Sequence, residues 1–96
     1  MADSKHDRIA KRLAKKHGVE YNEGRGPDVK ASDRVIEVVT HDSDLYTSIA
    51  QVSRYKKPKY FAVPQELVKK AKKVTEGTGI GVMTPTGITK KMSRSR

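Results

Sequence analysis

Two carboxylates, Asp28 and Glu37, are the residues whose types and spacing point most directly to chemistry. They lie in the stretch Pro27-Asp28-Val29-Lys30-Ala31-Ser32-Asp33-Arg34-Val35-Ile36-Glu37-Val38-Val39-Thr40. That stretch reads as two strands joined by a tight turn, the second rich in β-branched residues. A turn centred on Ser32-Asp33 sets Ala31 opposite Arg34, Val29 opposite Ile36 and Asp28 opposite Glu37. Directly opposed residues have Cβ atoms about 4.5–5.5 Å apart on one face. Two acids so placed repel each other, and a raised pKa or a bound cation relieves the repulsion. Mg²⁺ is held by one or two carboxylates together with phosphate oxygens. The pair is therefore a candidate metal site for phosphodiester chemistry. An ordinary alternative stays open: Asp28 in a turn after Pro27, and Glu37 on a solvated sheet face.

The elements that position this hairpin follow from apolar spacing. Ile9, Ala10, Leu13 and Ala14 form one stripe of a first helix, from about Ser4 or Lys5 to His17, which Gly18 stops. Asp7 sits in its first or second turn, where a carboxylate also complements the helix dipole. Val19 to Asn22 predicts a short first strand, and residues 23–27 a flexible turn rich in breakers. That turn lacks the Gly-Lys-Ser/Thr ending of a phosphate-cradling loop. Along the second hairpin strand Ile36, Val38 and Thr40 point one way, and Val35, Glu37, Val39 and His41 the other. A glutamate between two valines on one face is the strongest local anomaly.

Asp42-Ser43-Asp44 supplies capping chemistry for a second helix to about Tyr55, with Leu45, Ile49 and Val52 buried. Gln51 and Tyr55, four apart, share a face of it. Tyr60 to Val63 reads as an internal strand. Pro64 starts a third helix pinned by Leu67, Val68, Ala71 and Val74 and ended by Gly77 and Gly79. Ile80 to Met83 is the last full strand, followed by an Ile88-Thr89 extension. The order is αβββαβαβ, an α/β or α+β arrangement with a mixed sheet flanked by helices. One domain over residues 1–89 and a basic disordered tail over 90–96 complete the organisation.

Ninety-six residues make one modest core. Cysteine is absent, which excludes disulfides and cysteine-ligated zinc. No apolar run is long enough for a membrane span or a signal sequence, so a cytoplasmic or nucleoid-associated protein without a membrane partner is expected. The net charge of +10 argues for a polyanionic partner. Lys11 and Lys15 in the first helix, and Arg54, Lys56 and Lys57 mid-chain, are the candidate nucleic-acid contacts, although each basic run alone also reads as a solvated face. Between Glu20 and Asp44 the balance reverses, giving an acidic centre with basic flanks. Four tyrosines and one phenylalanine are too few for a single-strand stacking platform. Duplex or branched nucleic acid, DNA before RNA, is the expected ligand.

Pro27-Asp28, then Glu37-Val38-Val39 in the next strand, then Gln51-Val52-Ser53-Arg54-Tyr55 in the following helix resemble the PD-(D/E)XK nuclease superfamily. The nearest likeness is to small archaeal Holliday-junction resolvases, and it runs through Ile88. The resemblance implies a restriction-endonuclease-like fold, Mg²⁺ (or Mn²⁺ in its place) on Asp28 and Glu37 with Asp7 completing the shell, and Gln51 and Tyr55 lining the groove. It also implies a homodimer and endonuclease activity. The sequence departs from the family at the lysine two residues after Glu37, which here is Val39. Lys30, on the predicted face of Asp28, is the first substitute; Arg54 and His41 are others. Without a substitute the fold would serve as a catalytically inactive DNA- or RNA-binding module. A basic ribosome- or protein-associated factor is a third reading.

Overall fold

The computed structural model describes residues 4–22 and 26–94. Three helices pack on a five-stranded mixed sheet in a compact α+β domain. The elements are α1 (Lys5–Lys16), β1 (Val29–Lys30), β2 (Val35–Val38), α2 (Leu45–Ser53), β3 (Lys59–Ala62), α3 (Val68–Val74), β4 (Gly81–Met83) and β5 (Thr89–Lys91). Single 3₁₀ turns, Asp42–Asp44 and Gln65–Leu67, lead into α2 and α3.

Helix α1 forms where the stripe predicts, with Ile9, Ala10, Leu13 and Ala14 buried. The Ser4 hydroxyl accepts the Asp7 amide at 3.1 Å and caps the start. Gly18, at φ 72°, ends it. The Gly18 amide returns to the Lys15 carbonyl and the Val19 amide to the Ala14 carbonyl, the paired bonds of a Schellman stop.

The strands lie in chain order across the sheet. β1 and β2 pair antiparallel with Val29 opposite Ile36, the register read from the Ser32-Asp33 turn. β2, β3 and β4 run parallel, Glu37 pairing with Phe61, and β5 returns antiparallel on β4. One face carries Val29, Ile36, Val38, Tyr60, Ala62 and Met83 against α1. The other carries Val39, Phe61, Val63, Ile80 and Val82 against α2 and α3. Each face buries its own apolar cluster, as helices on both sides of a sheet require.

Three expectations need correction. Val19 to Asn22 is not a strand, so the observed order is αββαβαββ. Val19 and Tyr21 pack against α1 instead, and one backbone bond, from the Asn22 amide to the Asp28 carbonyl at 2.8 Å, ties the segment to the hairpin. Part of the expected turn, residues 23–25, lies outside the described residues, as do 1–3 and 95–96. Asp42 does not cap α2; its carboxylate pairs with Lys70 of α3 at 2.8 Å, and the first turn begins without a side-chain cap.

The third correction concerns the C-terminal residues. Lys90 and Lys91 belong to edge strand β5 rather than to a tail. The Lys91 ammonium donates to the Thr75 carbonyl, the Thr75 hydroxyl and the Ile80 carbonyl, at 2.9–3.0 Å. It thereby ties the turn after α3, where the Thr75 carbonyl also accepts from the Thr78 amide, to the start of β4. Burial pushes the Lys91 pKa down. Beyond it, the Ser93 hydroxyl donates to the Gly79 carbonyl at 3.0 Å, and the Arg94 amide to the same oxygen at 2.9 Å. Gly81 allows this close approach: a Cβ there would lie 2.6 Å from the Lys91 carbonyl oxygen, the Ser93 amide nitrogen and the Tyr60 ring.

Candidate functional site

Asp28 stands immediately before β1, where the ladder with β2 stops. Its Oδ2 accepts the Val38 amide at 2.9 Å, in place of a ladder partner. Its own amide donates to Glu37 Oε1 at 3.2 Å. Both residues are buried, at 9% and 8% exposure. The two carboxylates thus hold each other's strand in place, and neither is a solvated face residue. Burial, and then the neighbouring Asp28 charge, push the Glu37 carboxyl up to about 8.

His6 carries no local signal that marks it as part of the site. Its Nε2 lies 3.1 Å from Asp28 Oδ2, and its Nδ1 lies 3.5 Å from Asp7 Oδ1. The Tyr21 hydroxyl donates to Asp7 Oδ1 at 3.0 Å, the main cause of a lowered Asp7 pKa. A continuous chain of polar groups therefore runs Tyr21, Asp7, His6, Asp28, Glu37. His6 could have been found only by placing α1 over the broken end of β1, because nothing local distinguishes it from a surface histidine.

Asp7 reaches the pair through the His6 imidazole, which lies between the two aspartates. Among the described residues no group of three or more His, Cys, Asp or Glu is disposed to hold a metal ion. The Asp28–Glu37 pair offers oxygen atoms from two carboxylates, the donor type that Mg²⁺ takes, with the raised Glu37 carboxyl having to lose its proton before a cation could bind.

Lys30 lies on the same side of the hairpin as Asp28, two residues along. Its ammonium sits over the Tyr55 ring, 5.9 Å from the centroid. The Tyr55 hydroxyl packs against Gly26, close enough that a Cβ at that position would collide with it. Tyr55 follows α2 rather than lying within it, and Gln51 is exposed on the helix. Val39 is buried in the apolar cluster under α2 and α3. His41 is exposed beyond the end of β2.

The expected nucleic-acid contacts divide between two places. Lys11 and Lys15 are exposed along α1. Arg54, Lys56 and Lys57 line a cleft of about 550 Å³ beside the start of β3. No helix among the described residues is long and apolar enough to cross a membrane. No protein family, curated protein or solved structure matches this chain.

Proposed function

We propose that the domain is a restriction-endonuclease-like nuclease whose Asp28 and Glu37 hold Mg²⁺, or Mn²⁺ in its place, against the phosphodiester backbone of DNA. The observation that carries this reading is the buried carboxylate pair at the broken end of β1. Burying two acids together destabilises a fold unless a proton or a cation compensates. A site that only had to be stable would be better filled by apolar side chains.

Each nearby residue then has a task. The Val38 amide and His6 fix the orientation of Asp28 Oδ2. Glu37, at about 8, carries a proton at neutral pH, and cation binding releases it, so affinity rises with pH. Lys30 substitutes for the lysine that Val39 replaces, its ammonium steered by the Tyr55 ring toward the side of the hairpin that bears both acids. Gln51 and Tyr55 border the groove in which the strand lies. When bound, the metal supplies charge stabilisation at a phosphoryl oxygen and a water of lowered pKa.

The test pairs binding with cleavage. Mg²⁺ and Mn²⁺ titrations followed by NMR should move the Asp28, Val38 and Glu37 amides, more tightly at pH 8.5 than at pH 6.5. Duplex or branched DNA should be nicked only with metal, and Asp28→Ala should lower the rate at least ~100-fold while binding in EDTA persists. Wild-type protein that neither shifts nor cuts with either metal would sink the proposal.

One observation favours a second reading. The His6 ring already bridges Asp7 and Asp28, and Val39 leaves the usual lysine position apolar. A protein that binds DNA with steep salt dependence and never cuts would be the inactive, basic relative of such a nuclease.

A further inference from the structure

The cleft beside the start of β3 is built from three separated parts of the chain, which is the reason the sequence did not display it. Arg54, Lys56, Lys57 and Lys59 come from the connection between α2 and β3. Thr78 comes from the turn after α3, and Ser93 and Arg94 from the segment after β5. Five lysine and arginine residues and no acidic residue line it. Among the described residues none of the five takes part in an ion pair, whereas Lys5, Arg34 and Lys70 each have an acidic partner. The chain has acids available and has placed none here.

The walls are fixed by the backbone. The Lys59 amide donates to the Ser93 hydroxyl at 3.1 Å, and that hydroxyl donates to the Gly79 carbonyl at 3.0 Å. The Lys57 ammonium donates to the Ala31 carbonyl at 3.0 Å, which ties the floor to the turn of the acid hairpin. A recess of about 550 Å³ lined by like-charged residues has the dimensions of a ligand site rather than a flat face. A membrane surface cannot enter such a recess, whereas a phosphate backbone can.

Position identifies the strand. Lys59 pairs with Val35, and Glu37 lies two residues further along β2, about 7 Å at the usual strand rise. Tyr55 belongs to both places: it lines the cleft and its ring carries Lys30. We propose that this cleft binds successive phosphates of one nucleic-acid strand on the flank of the acid pair, with the residues after β5 forming its outer wall. The proposal rests on the nucleic-acid reading above but does not need a cation at Asp28 and Glu37.

The experiment measures binding of a short fluorescein-labelled duplex DNA by anisotropy, in EDTA, across a salt series. Lys56→Glu/Arg94→Glu changes two exposed cleft side chains, and Lys69→Glu/Lys72→Glu makes the same charge change on α3. Thermal melts check that both variants are folded. The cleft variant should bind at least ~20-fold more weakly, with a log–log salt slope smaller by about 1.8, two contacts at about 0.9 each. The α3 variant should lose less than ~3-fold. Equal losses in the two variants would overturn the proposal, since binding would then track net charge alone. A polyglutamate peptide that displaces the DNA at matched charge would overturn it in favour of an acidic protein partner. Wild-type binding without metal-dependent cleavage would remove the nuclease reading and leave the cleft standing. Undiminished cleavage by the cleft variant at subsaturating DNA would remove the cleft alone.

Discussion

Two polar regions lie side by side in this domain, and they handle charge in opposite ways. Around Asp28 and Glu37 the side chains are buried and their hydrogen bonds are met from within the chain: by the Val38 amide, by the Asp28 amide and by His6. Among the described residues no buried side-chain nitrogen or oxygen lacks a partner. In the cleft near Lys59 the cations are arranged by the backbone but left without acids. The first region is organised before any ligand arrives and holds its strain inside the fold. The second leaves Arg54, Lys56 and Arg94 exposed to water, where like charges repel weakly, while the Lys57 ammonium is held by the Ala31 carbonyl. The acids are buried and bonded, and the cleft cations are without acidic partners among the described residues.

The comparison can be broken most forcefully at Gly81. Gly81→Ala places a methyl group against two backbone atoms and the Tyr60 ring, so it should destabilise by about 2–3 kcal/mol. Thermal melts would show the loss, and NMR should find the change concentrated near Ser93 and Arg94, with the Val38 amide little moved. Disturbance spreading equally to Val38 would mean that the two regions are one cooperative unit.

Glu37→Gln sharpens the acid side. The Glu37 pKa is raised from 4.5 to about 8 in the folded chain, so the native state binds the extra proton. Its contribution is full below pH 4.5 and is lost as pH rises to about 8, which makes the protein less stable toward alkaline pH. Partial solvent screening brings this well below the unscreened conversion, to on the order of 2 kcal/mol. His17, whose pKa burial lowers, works in the opposite sense near its ordinary 6.5, and comparing variant with wild type cancels it. Denaturant midpoints at pH 5.5 and 8.5 should fall with pH in the wild type and fall less in the glutamine variant. A parallel pair of profiles would show that Glu37 stays ionised throughout.

The smallest effect belongs to the cleft. Arg94→Gln should raise stability by only about 0.3 kcal/mol at low salt and by nothing measurable at 0.5 M, because exposed like charges are screened. A larger gain that persisted in salt would mean that the cleft cations are strained by burial, as the acids are.

Legibility in the sequence followed the range of the interaction. The Val29–Ile36 register could be read because it depends on a turn of two residues and on alternation. The α1 stripe could be read because helical spacing is local. His6 escaped notice because its partner lies 22 residues away and belongs to a different element. Lys91 was misassigned because lysine composition suggests solvent, whereas its three acceptors exist only once α3 has ended beside β5. Val19 to Asn22 has strand-like composition but finds one backbone partner on the hairpin, and α1 takes its apolar side chains. Asp42 had the right neighbours for a cap and was drawn instead to Lys70.

The chain-ordered sheet also carries a temporal consequence. Every ladder joins strands that are neighbours in sequence, so each can form as soon as the next strand has been synthesised, without waiting for a distant partner. The acid hairpin needs nothing beyond Val38 for its mutual backbone bonds. The cleft needs Ser93 and Arg94, at the far end of the described chain. The backbone bonds of the acid hairpin thus depend on a short, continuous stretch of chain, whereas the cleft waits for residues more than thirty positions after Lys59.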